Sequence, residues 1–370
     1  MTTDTRAPAV EDTATDTATE ALAGRLFDTV LACLDAQAIV IGDRLGYYRA
    51  LADGDALTSA EVAERTGTAE RYVREWLEQQ AVTGILTAAD DPDRPGDARA
   101  RRFTLPPGHR APLLDVLSGD HLLPLVRFAV AAGRQADALA EVHRTGGGIS
   151  WAQQGADVRE AQAAANRPLF LGPLGREHLP SIPDVDAALR RGGRVADVGC
   201  GYGWSSIGIA LAYPAATVDG FDVDAPSVEA ARRNAAEAGV ADRVRFAVTD
   251  AATVSGTYDV VTAFECVHDL ADPVAVLAAM RRLAGDGGAV LVVDERVAEE
   301  FTAPGDDVER LMYGYSLVCC LPDGLSTRPS AATGTVMRPA TLRRYAREAG
   351  FTDVEVLDVR DEVFRFYRLV

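Results

Sequence analysis

Short, almost wholly apolar runs alternate with helical patterns through the second half of the chain. The runs read RVADVG, ATVDGFDV, RVRFAVTD, YDVVTAFE and AVLVVDE, and helical spacing predicts helices at 227–238 and 273–283 between them. Apolar strands that alternate with helices are typical of a parallel sheet covered on both faces. We therefore predict a doubly wound α/β domain over residues 168–370, with its ligands at the carboxyl ends of the strands.

The beginning of the chain changes from a polar to an amphipathic pattern. Residues 1–20 are mostly Thr, Ala and acidic residues, with no large apolar residue after Val10, so a disordered tail is predicted there. Through 21–51, apolar residues recur at helical spacing, which predicts two helices around a short break. Their apolar face is expected to be core or a dimer surface.

A winged helix is predicted next. Thr58, with Glu61 three residues later, has the pattern of a capping box, and the turn at Gly67 opens a second helix. A two-stranded ribbon around the loop 90–100 follows. Helix, turn, helix and ribbon together form a winged helix, so residues 21–110 are predicted to be an all-α and winged-helix domain. The second helix is expected to turn four apolar residues inward: Val73, Trp76, Leu77 and Val82.

Residues 111–167 are expected to form a helical linker between the two domains. The pattern is mainly helical over 112–143, and the glycine run 146–148 predicts a hinge. Another helix is predicted from Trp151 to about Asn166. The chain would thus contain a tail, a winged-helix domain, a linker and the α/β domain.

Composition narrows the classes of partner. The 370 residues carry a formal net charge of −18 at pH 7, and a surface of this charge repels nucleic acid phosphates and anionic membranes. The five cysteines are scattered without a CxxC pair, which favours reduced thiols over disulfides or a zinc site. The first residues do not show a basic segment followed by an apolar one, and a run of about 18 apolar residues does not occur. We expect a cytoplasmic protein without a bound metal.

The run VADVGCGYGWSS places three glycines, spaced two apart, directly after the first apolar strand of the α/β domain. Gly199, Gly201 and Gly203 permit a tight turn that lets a ligand lie against bare backbone. The third glycine of a dinucleotide fingerprint would fall at Trp204, where a bulky indole is unsuited to packing beside a pyrophosphate. A ligand other than a dinucleotide is favoured.

Three carboxylates lie where strands of the predicted sheet end. Asp222 in GFDVD is placed to accept hydrogen bonds from the hydroxyls of a ribose, and Asp250 in VTD from the exocyclic amine of an adenine. Asp197, two residues before the glycines, can face the positive amino group of an amino-acid tail. Such a pocket repels phosphate but suits an adenosine joined to a cationic sulfonium amino acid.

The motifs DVGCGYG, GFDVD, VTDA and HDLADP resemble those of class I S-adenosylmethionine-dependent methyltransferases. From about Leu22 onwards, the chain resembles bacterial small-molecule O-methyltransferases with an N-terminal winged helix. The resemblance implies a Rossmann-like sheet, S-adenosylmethionine as cofactor, and a homodimer formed through the N-terminal domain. It also implies cofactor contacts from Asp222 and Val223 at the ribose, Asp250 and Ala251 at the adenine, and Phe264 and the three glycines at the methionine end.

Methyl transfer to a hydroxyl needs a positioned acceptor and a base that removes its proton. His268 in AFECVHDLADP follows the fourth strand on the ligand side of the sheet and is the candidate base; its alternative role is to cap a helix or shape the pocket. The segment resembles the His-Asp-Trp element of O-methyltransferases, which implies orienting roles for Asp269 and Asp294, or Glu295 in place of Asp294. Leu270 departs from that element, which has tryptophan there.

Two further functions stay open beside methyl transfer to a small molecule. A relative of such enzymes can use the bound sulfonium as a fixed charge for non-methylating chemistry, and a winged helix can belong to a transcriptional regulator. The regulator is disfavoured, because residues 58–88 carry three arginines against five glutamates where a DNA-reading surface is basic. By resemblance, the acceptor cavity is expected to include Trp151, Asn166, Met312 and Tyr315.

Overall fold

The computed structural model describes residues 10–370, with side chains from residue 15 onwards. The chain divides into two compact units at Leu114 and Asp115. The predicted tail falls in part outside the described residues, and its described part belongs to helix α1, Val10–Arg44. The tail prediction is therefore wrong for residues 10–20. Extending an existing helix needs no new nucleation, so a polar, alanine-containing segment can continue it.

The first unit confirms the winged helix. After α1 come α2 Tyr47–Ala50, α3 Ser59–Thr66, α4 Glu70–Val82 and α5 Arg110–Leu114, with strands β1 Leu57–Thr58, β2 Thr87–Ala89 and β3 Arg102–Thr104. The strands form an antiparallel sheet in the order β1-β3-β2. Thr58 and Glu61 make both bonds of the capping box, and Gly67 ends α3 in the left-handed conformation.

Helix α4 packs through one face. Val73, Trp76 and Leu77 are buried as predicted, and the Trp76 indole N–H donates to the Ala38 carbonyl at 2.8 Å. Val82 is 87% exposed, so its predicted inward position is wrong. It follows Val73 by about two and a half helical turns, which places it on the opposite side of the helix.

The second unit contains the glycine loop and a larger sheet. Its helices are α6 Leu123–Gly133, α7 Ala136–Thr145, α8 Trp151–Gln154, α9 Ala156–Leu171, α10 Pro183–Arg190, α11 Trp204–Ala212, α12 Ala225–Glu237, α13 Pro273–Ala284, α14 Asp307–Tyr315, α15 Leu321–Gly324 and α16 Pro339–Glu348. Its strands are β4 Arg194–Val198, β5 Thr217–Asp222, β6 Val244–Val248, β7 Val260–Phe264, β8 Ala289–Glu295, β9 Val354–Val356 and β10 Phe364–Leu369. Residues 115–167, predicted as linker, belong to this unit. The helix predicted from Trp151 is interrupted at Gly155, whose φ of 88° is not helical.

Among the described residues the second unit forms a seven-stranded sheet in the order β6-β5-β4-β7-β8-β10-β9. The five strands β4 to β8 are parallel, as predicted, and β10 and β9 extend the sheet antiparallel beyond β8. Successive residues of β8 enter hydrophobic clusters on opposite faces, with Leu291 in one and Val292 in the other. The chain order reverses between β4 and β7, and such a reversal opens a crevice at the carboxyl ends of the strands.

Candidate active site

A cavity of about 650 Å³ lies at the carboxyl ends of the parallel strands, within the second unit. It is bounded by the glycine loop after β4, by the ends of β5 and β7, and by residues of α9 and the 315–335 segment. Most of the predicted site residues line it: Trp151, Asn166, Gly199, Gly201, Asp222, Val223, Asp250, Ala251, Phe264, His268, Asp269 and Tyr315.

Asp222 is held in place by backbone donors. Its carboxylate accepts a hydrogen bond from the Gly201 N–H at 2.8 Å and one from the Asp224 N–H at 2.9 Å. Burial raises the pKa of Asp222, and these backbone bonds act against that shift. The carboxylate is therefore oriented by the backbone of the protein itself.

Two of the loop glycines meet neighbouring side chains. At Gly199, with φ of 67°, an added Cβ would lie 2.6 Å from the Cys266 sulfur. At Gly203, with φ of 78°, it would lie 2.5 Å from the Phe246 ring. Gly203 is absent from the cavity wall, and its contact with the cofactor stays a prediction. It lets the start of α11 pack closely on β6.

Asp197 does not face the cavity, which corrects the expectation that it meets an amino-acid tail. The hydroxyls of Ser205 and Ser206 donate to its Oδ2, both at 2.6 Å, and the Thr262 hydroxyl donates to its Oδ1 at 2.9 Å. The residue is 1% exposed. Asp197 therefore ties the end of β4 to α11 and β7, because the side chains of a strand alternate between the two faces.

His268 lies in a 3₁₀ turn, Val267–Asp269, that follows β7. The ring is 2% exposed, and its Nδ1 lies 2.8 Å from Asp294 Oδ1 and 3.1 Å from Glu295 Oε2. Its Nε2 lies 3.4 Å from Asp269 Oδ1. Asp294 is absent from the cavity wall, whereas Glu295 lines it. Asp294 thus contacts His268 and not the cavity, so its expected effect on catalysis is to orient the ring.

The charges around His268 decide its protonation. Burial alone would lower its pKa, but the negative charges of Asp269, Asp294 and Glu295 outweigh burial and raise the pKa well above the usual value. Donor atoms of His268, Asp294 and Glu295 lie within 4.8 Å of one another, as do those of His268, Asp269 and Cys320, which is a spacing that a cation could use. The Nδ1 atom of His268 is hydrogen-bonded to Asp294 at 2.8 Å.

Aromatic side chains of α6, α8 and α14 also line the cavity. The rings of Phe128 and Tyr315 meet edge to face with centroids 4.7 Å apart, and the Trp151 N–H donates to Asp323 at 2.6 Å. Met312 is buried and absent from the cavity wall, and its contact with the acceptor stays a prediction. It lies three residues before Tyr315 on α14, and only the C-terminal end of that helix reaches the cavity.

Two acidic residues of the cavity wall were not predicted. Glu265 follows β7 directly, and an acid at the carboxyl end of a parallel strand was the available signal for it. Asp323 lies in α15, and burial raises its pKa to about 7. No local pattern marks Asp323, since only the folded path of the C-terminal segment brings it to the cavity.

Comparison with known proteins agrees with this geometry. Residues 189–324 match a methyltransferase domain family, and residues 32–114 match an Rv2258c-like winged helix-turn-helix domain. The chain is 31% identical over 182 residues to the ubiquinone biosynthesis O-methyltransferase of Thiobacillus denitrificans, which covers 48% of this chain and 73% of that protein. The chain belongs to the S-adenosylmethionine-dependent methyltransferases. The resemblance stated from the sequence is thus confirmed.

Solved structures show the same fold across nearly the whole methyltransferase. Human N-acetylserotonin methyltransferase, in complex with S-adenosylmethionine, has a TM-score of 0.69 at 18% identity and covers 94% of this chain and 97% of its own. Mitomycin 7-O-methyltransferase has a TM-score of 0.68 at 21% identity, and the match covers 96% of this chain and 99% of that protein. Within the described part of the methyltransferase, none of the helices is long and apolar enough to cross a membrane.

The cofactor of the methyltransferase is S-adenosylmethionine, and the residues present fit it. The carboxylate of Asp222 is fixed by two backbone donors, and the cavity wall beside it includes Val223, Asp250 and Ala251. Gly201 has φ of 50° and open space where a side chain would be. The wall thus combines an oriented carboxylate with bare backbone, and a neutral adenosine suits it better than a phosphate.

Proposed function

We propose that this methyltransferase methylates a hydroxyl group of a small molecule, with His268 as the general base. The observation that carries the proposal is the buried His268 ring, whose Nδ1 bonds to Asp294 at 2.8 Å while the residue lines the cavity. Bound S-adenosylmethionine supplies an electrophilic methyl group on a positively charged sulfur. The protein must then place the hydroxyl and accept its proton.

The two nitrogens of His268 divide this work. In the neutral ring, Nδ1 carries the hydrogen and donates it to Asp294, which leaves the lone pair of Nε2 for the hydroxyl proton. After the transfer, the imidazolium is stabilised by the carboxylates of Asp294 and Glu295. Asp269, 3.4 Å from Nε2, is placed to orient the hydroxyl beside the ring.

The raised pKa of His268 predicts how turnover depends on pH. A raised pKa means that the ring holds its proton to higher pH, so kcat/KM is expected to rise with pH through a value above the usual 6.5 of histidine. Asp294→Asn removes one charge that raises this pKa. The rising limb of the kcat/KM profile should therefore move to lower pH, and the maximal kcat/KM at high pH should fall. Methyl-labelled S-adenosylmethionine with a panel of phenols identifies an acceptor, and its pH profile checks both expectations.

Two results would contradict this proposal. Labelled methyl groups found on nitrogen, sulfur or carbon alone would exclude the hydroxyl as acceptor. An unchanged limb in Asp294→Asn would mean that the observed ionisation does not belong to His268. Glu362→Gln, at an exposed position outside the cavity wall, is the control that should leave the profile unchanged.

We also propose that a second copy of the chain covers helix α1. Six apolar side chains of this helix are 46% to 63% exposed: Leu22, Leu26, Phe27, Val30, Leu31 and Leu34. Their spacing of three and four residues places them along one stripe, and monomeric proteins rarely expose so continuous an apolar surface. The same stripe on a second copy of the chain has the matching length and apolar character to pack against it.

The double variant Leu26→Asp/Val30→Asp is expected to convert a dimer into a monomer, because it would bury four carboxylates per dimer in an apolar contact. Sedimentation at micromolar concentration measures the change. Val82→Asp, at an exposed apolar position on α4, is the control and should leave the dimer intact. A monomeric wild-type protein, or a dimeric double variant, would contradict the assignment.

The winged helix is proposed to serve the assembly and not a nucleic acid. The arginines of α4 pair within the helix, Arg71 with Glu75 at 2.5 Å and Arg74 with Glu70 at 3.3 Å. The positive charge of these arginines is therefore neutralised by neighbouring glutamates, whereas binding of nucleic acid phosphates requires uncompensated positive charge. A cytoplasmic location is proposed as well, since the five cysteines are free and suit a reducing compartment.

A further inference from the structure

Glu265 occupies an unusual backbone position beside the glycine loop. It has a φ of 51°, in the left-handed region that residues other than glycine seldom adopt, and its N–H donates to the Val293 carbonyl at 2.8 Å. Ala263 pairs with Val198 across β7 and β4. Glu265 therefore leaves the sheet next to the loop that Val198 leads into. Strained positions of this kind concentrate at functional sites.

The carboxyl group of Glu265 points into the cavity with one oxygen unpaired. Its Oε1 is shielded from solvent and has no hydrogen-bond partner, while Asn166 of α9 hydrogen-bonds to the side chain. Among the described residues of the cavity wall, the arginine present is Arg159, and it lies 3.6 Å from Asp224, near the ribose-binding Asp222. The arginine of the cavity wall thus belongs to Asp224, and His268, the cation that does act on Glu265, is already bound by Asp294 and Glu295.

The amino-acid tail of the cofactor carries an ammonium group that needs an anionic partner. Asp197 cannot serve, because three hydroxyls already occupy its carboxylate. Glu265 directly follows Phe264, and Gly199 approaches the neighbouring Cys266 so closely that a side chain at Gly199 would clash. We propose that Glu265 binds the ammonium group of S-adenosylmethionine. The inference rests on the cofactor and not on the identity of the acceptor.

Binding of the ammonium group should be coupled to a proton. Burial first, and then the charge of Glu295, raises the pKa of Glu265 well above its usual value. Asp294 acts in the same direction, whereas His268 and the Asn166 hydrogen bond lower the pKa. A cation beside Glu265 favours the ionised carboxylate, so ligand binding near neutral pH should release a proton.

Calorimetric titration of Glu265→Gln with two ligands tests the proposal. S-adenosylhomocysteine has the amino-acid tail, and 5′-methylthioadenosine has the same adenosine without it. We expect the affinity for S-adenosylhomocysteine to fall at least about tenfold, the worth of a charge-assisted hydrogen bond, and that for methylthioadenosine to stay unchanged. Glu362→Gln, at an exposed position outside the cavity wall, should alter neither affinity.

An unchanged preference for S-adenosylhomocysteine over methylthioadenosine in Glu265→Gln would overturn the proposal. A rise in the acceptor KM with unchanged cofactor affinity would also overturn it and would assign Glu265 to the acceptor. If the variant does not fold, the wild-type protein decides. Titrations in buffers of different ionisation enthalpy should show proton release with S-adenosylhomocysteine but not with methylthioadenosine, and equal release would refute the assignment.

Discussion

Replacing His268 with alanine is expected to lower kcat by roughly 10² to 10⁴, the usual contribution of general acid–base catalysis. The affinity for S-adenosylhomocysteine should stay near that of the wild-type protein, because Asp222, the expected ribose-binding group, is fixed by the Gly201 and Asp224 backbone and not by His268. The measurement is single-turnover methyl transfer to a phenolic acceptor, with calorimetric titration of S-adenosylhomocysteine alongside.

The loss should depend on proton transfer and not on the volume of the ring. His268→Gln fills much of the same space without a base and should be as inactive as His268→Ala. His143→Ala, at an exposed position on α7, is the matched control and should keep full activity. Should His268→Ala retain more than about a tenth of the turnover with unchanged cofactor affinity, proximity alone would explain catalysis and the base role would be excluded.

Replacing Asp222 with alanine should weaken the binding of S-adenosylhomocysteine by about 10² or more. The change removes a carboxylate that can accept two hydrogen bonds, each worth about 1.5–3 kcal/mol when one partner is charged. It also leaves the N–H groups of Gly201 and Asp224 without their acceptor. Calorimetric titration measures the affinity. Asp222→Asn keeps one oxygen, so its affinity for S-adenosylhomocysteine should lie between those of the wild-type protein and Asp222→Ala.

The control for this variant lies on the same strand. Asp219 is in β5 as well, but its carboxylate accepts from Arg194 at 3.1 Å and from Tyr258 at 3.0 Å, outside the cavity wall. Asp219→Asn should therefore bind S-adenosylhomocysteine as the wild-type protein does. NADH should not bind, since Trp204 occupies the position of the third fingerprint glycine. Full affinity in Asp222→Ala would show that the ribose is held elsewhere.

The glycine loop shows where reading a motif residue by residue fails. The glycines, the acids at the strand ends and the resemblance together indicated the ligand class correctly, yet Asp197 and Gly203 are absent from the cavity wall. Asp197 belongs to a buried strand, and Gly203 gives room for the Phe246 ring. A motif combines ligand contacts with the packing that makes the turn possible, and the spacing alone does not separate the two.

What the sequence by itself determined rests on residues close to one another in the chain. The parallel strands, the capping box at Thr58, the glycine loop and the position of Asp222 at the end of β5 all follow from periodicity and short spacing. The tertiary structure decided the rest. It alone joins His268 to Asp294, 26 residues later, and brings Asn166 and Asp323 to the same cavity as Glu265. Such contacts depend on how the elements pack around the sheet, and no local pattern encodes that packing.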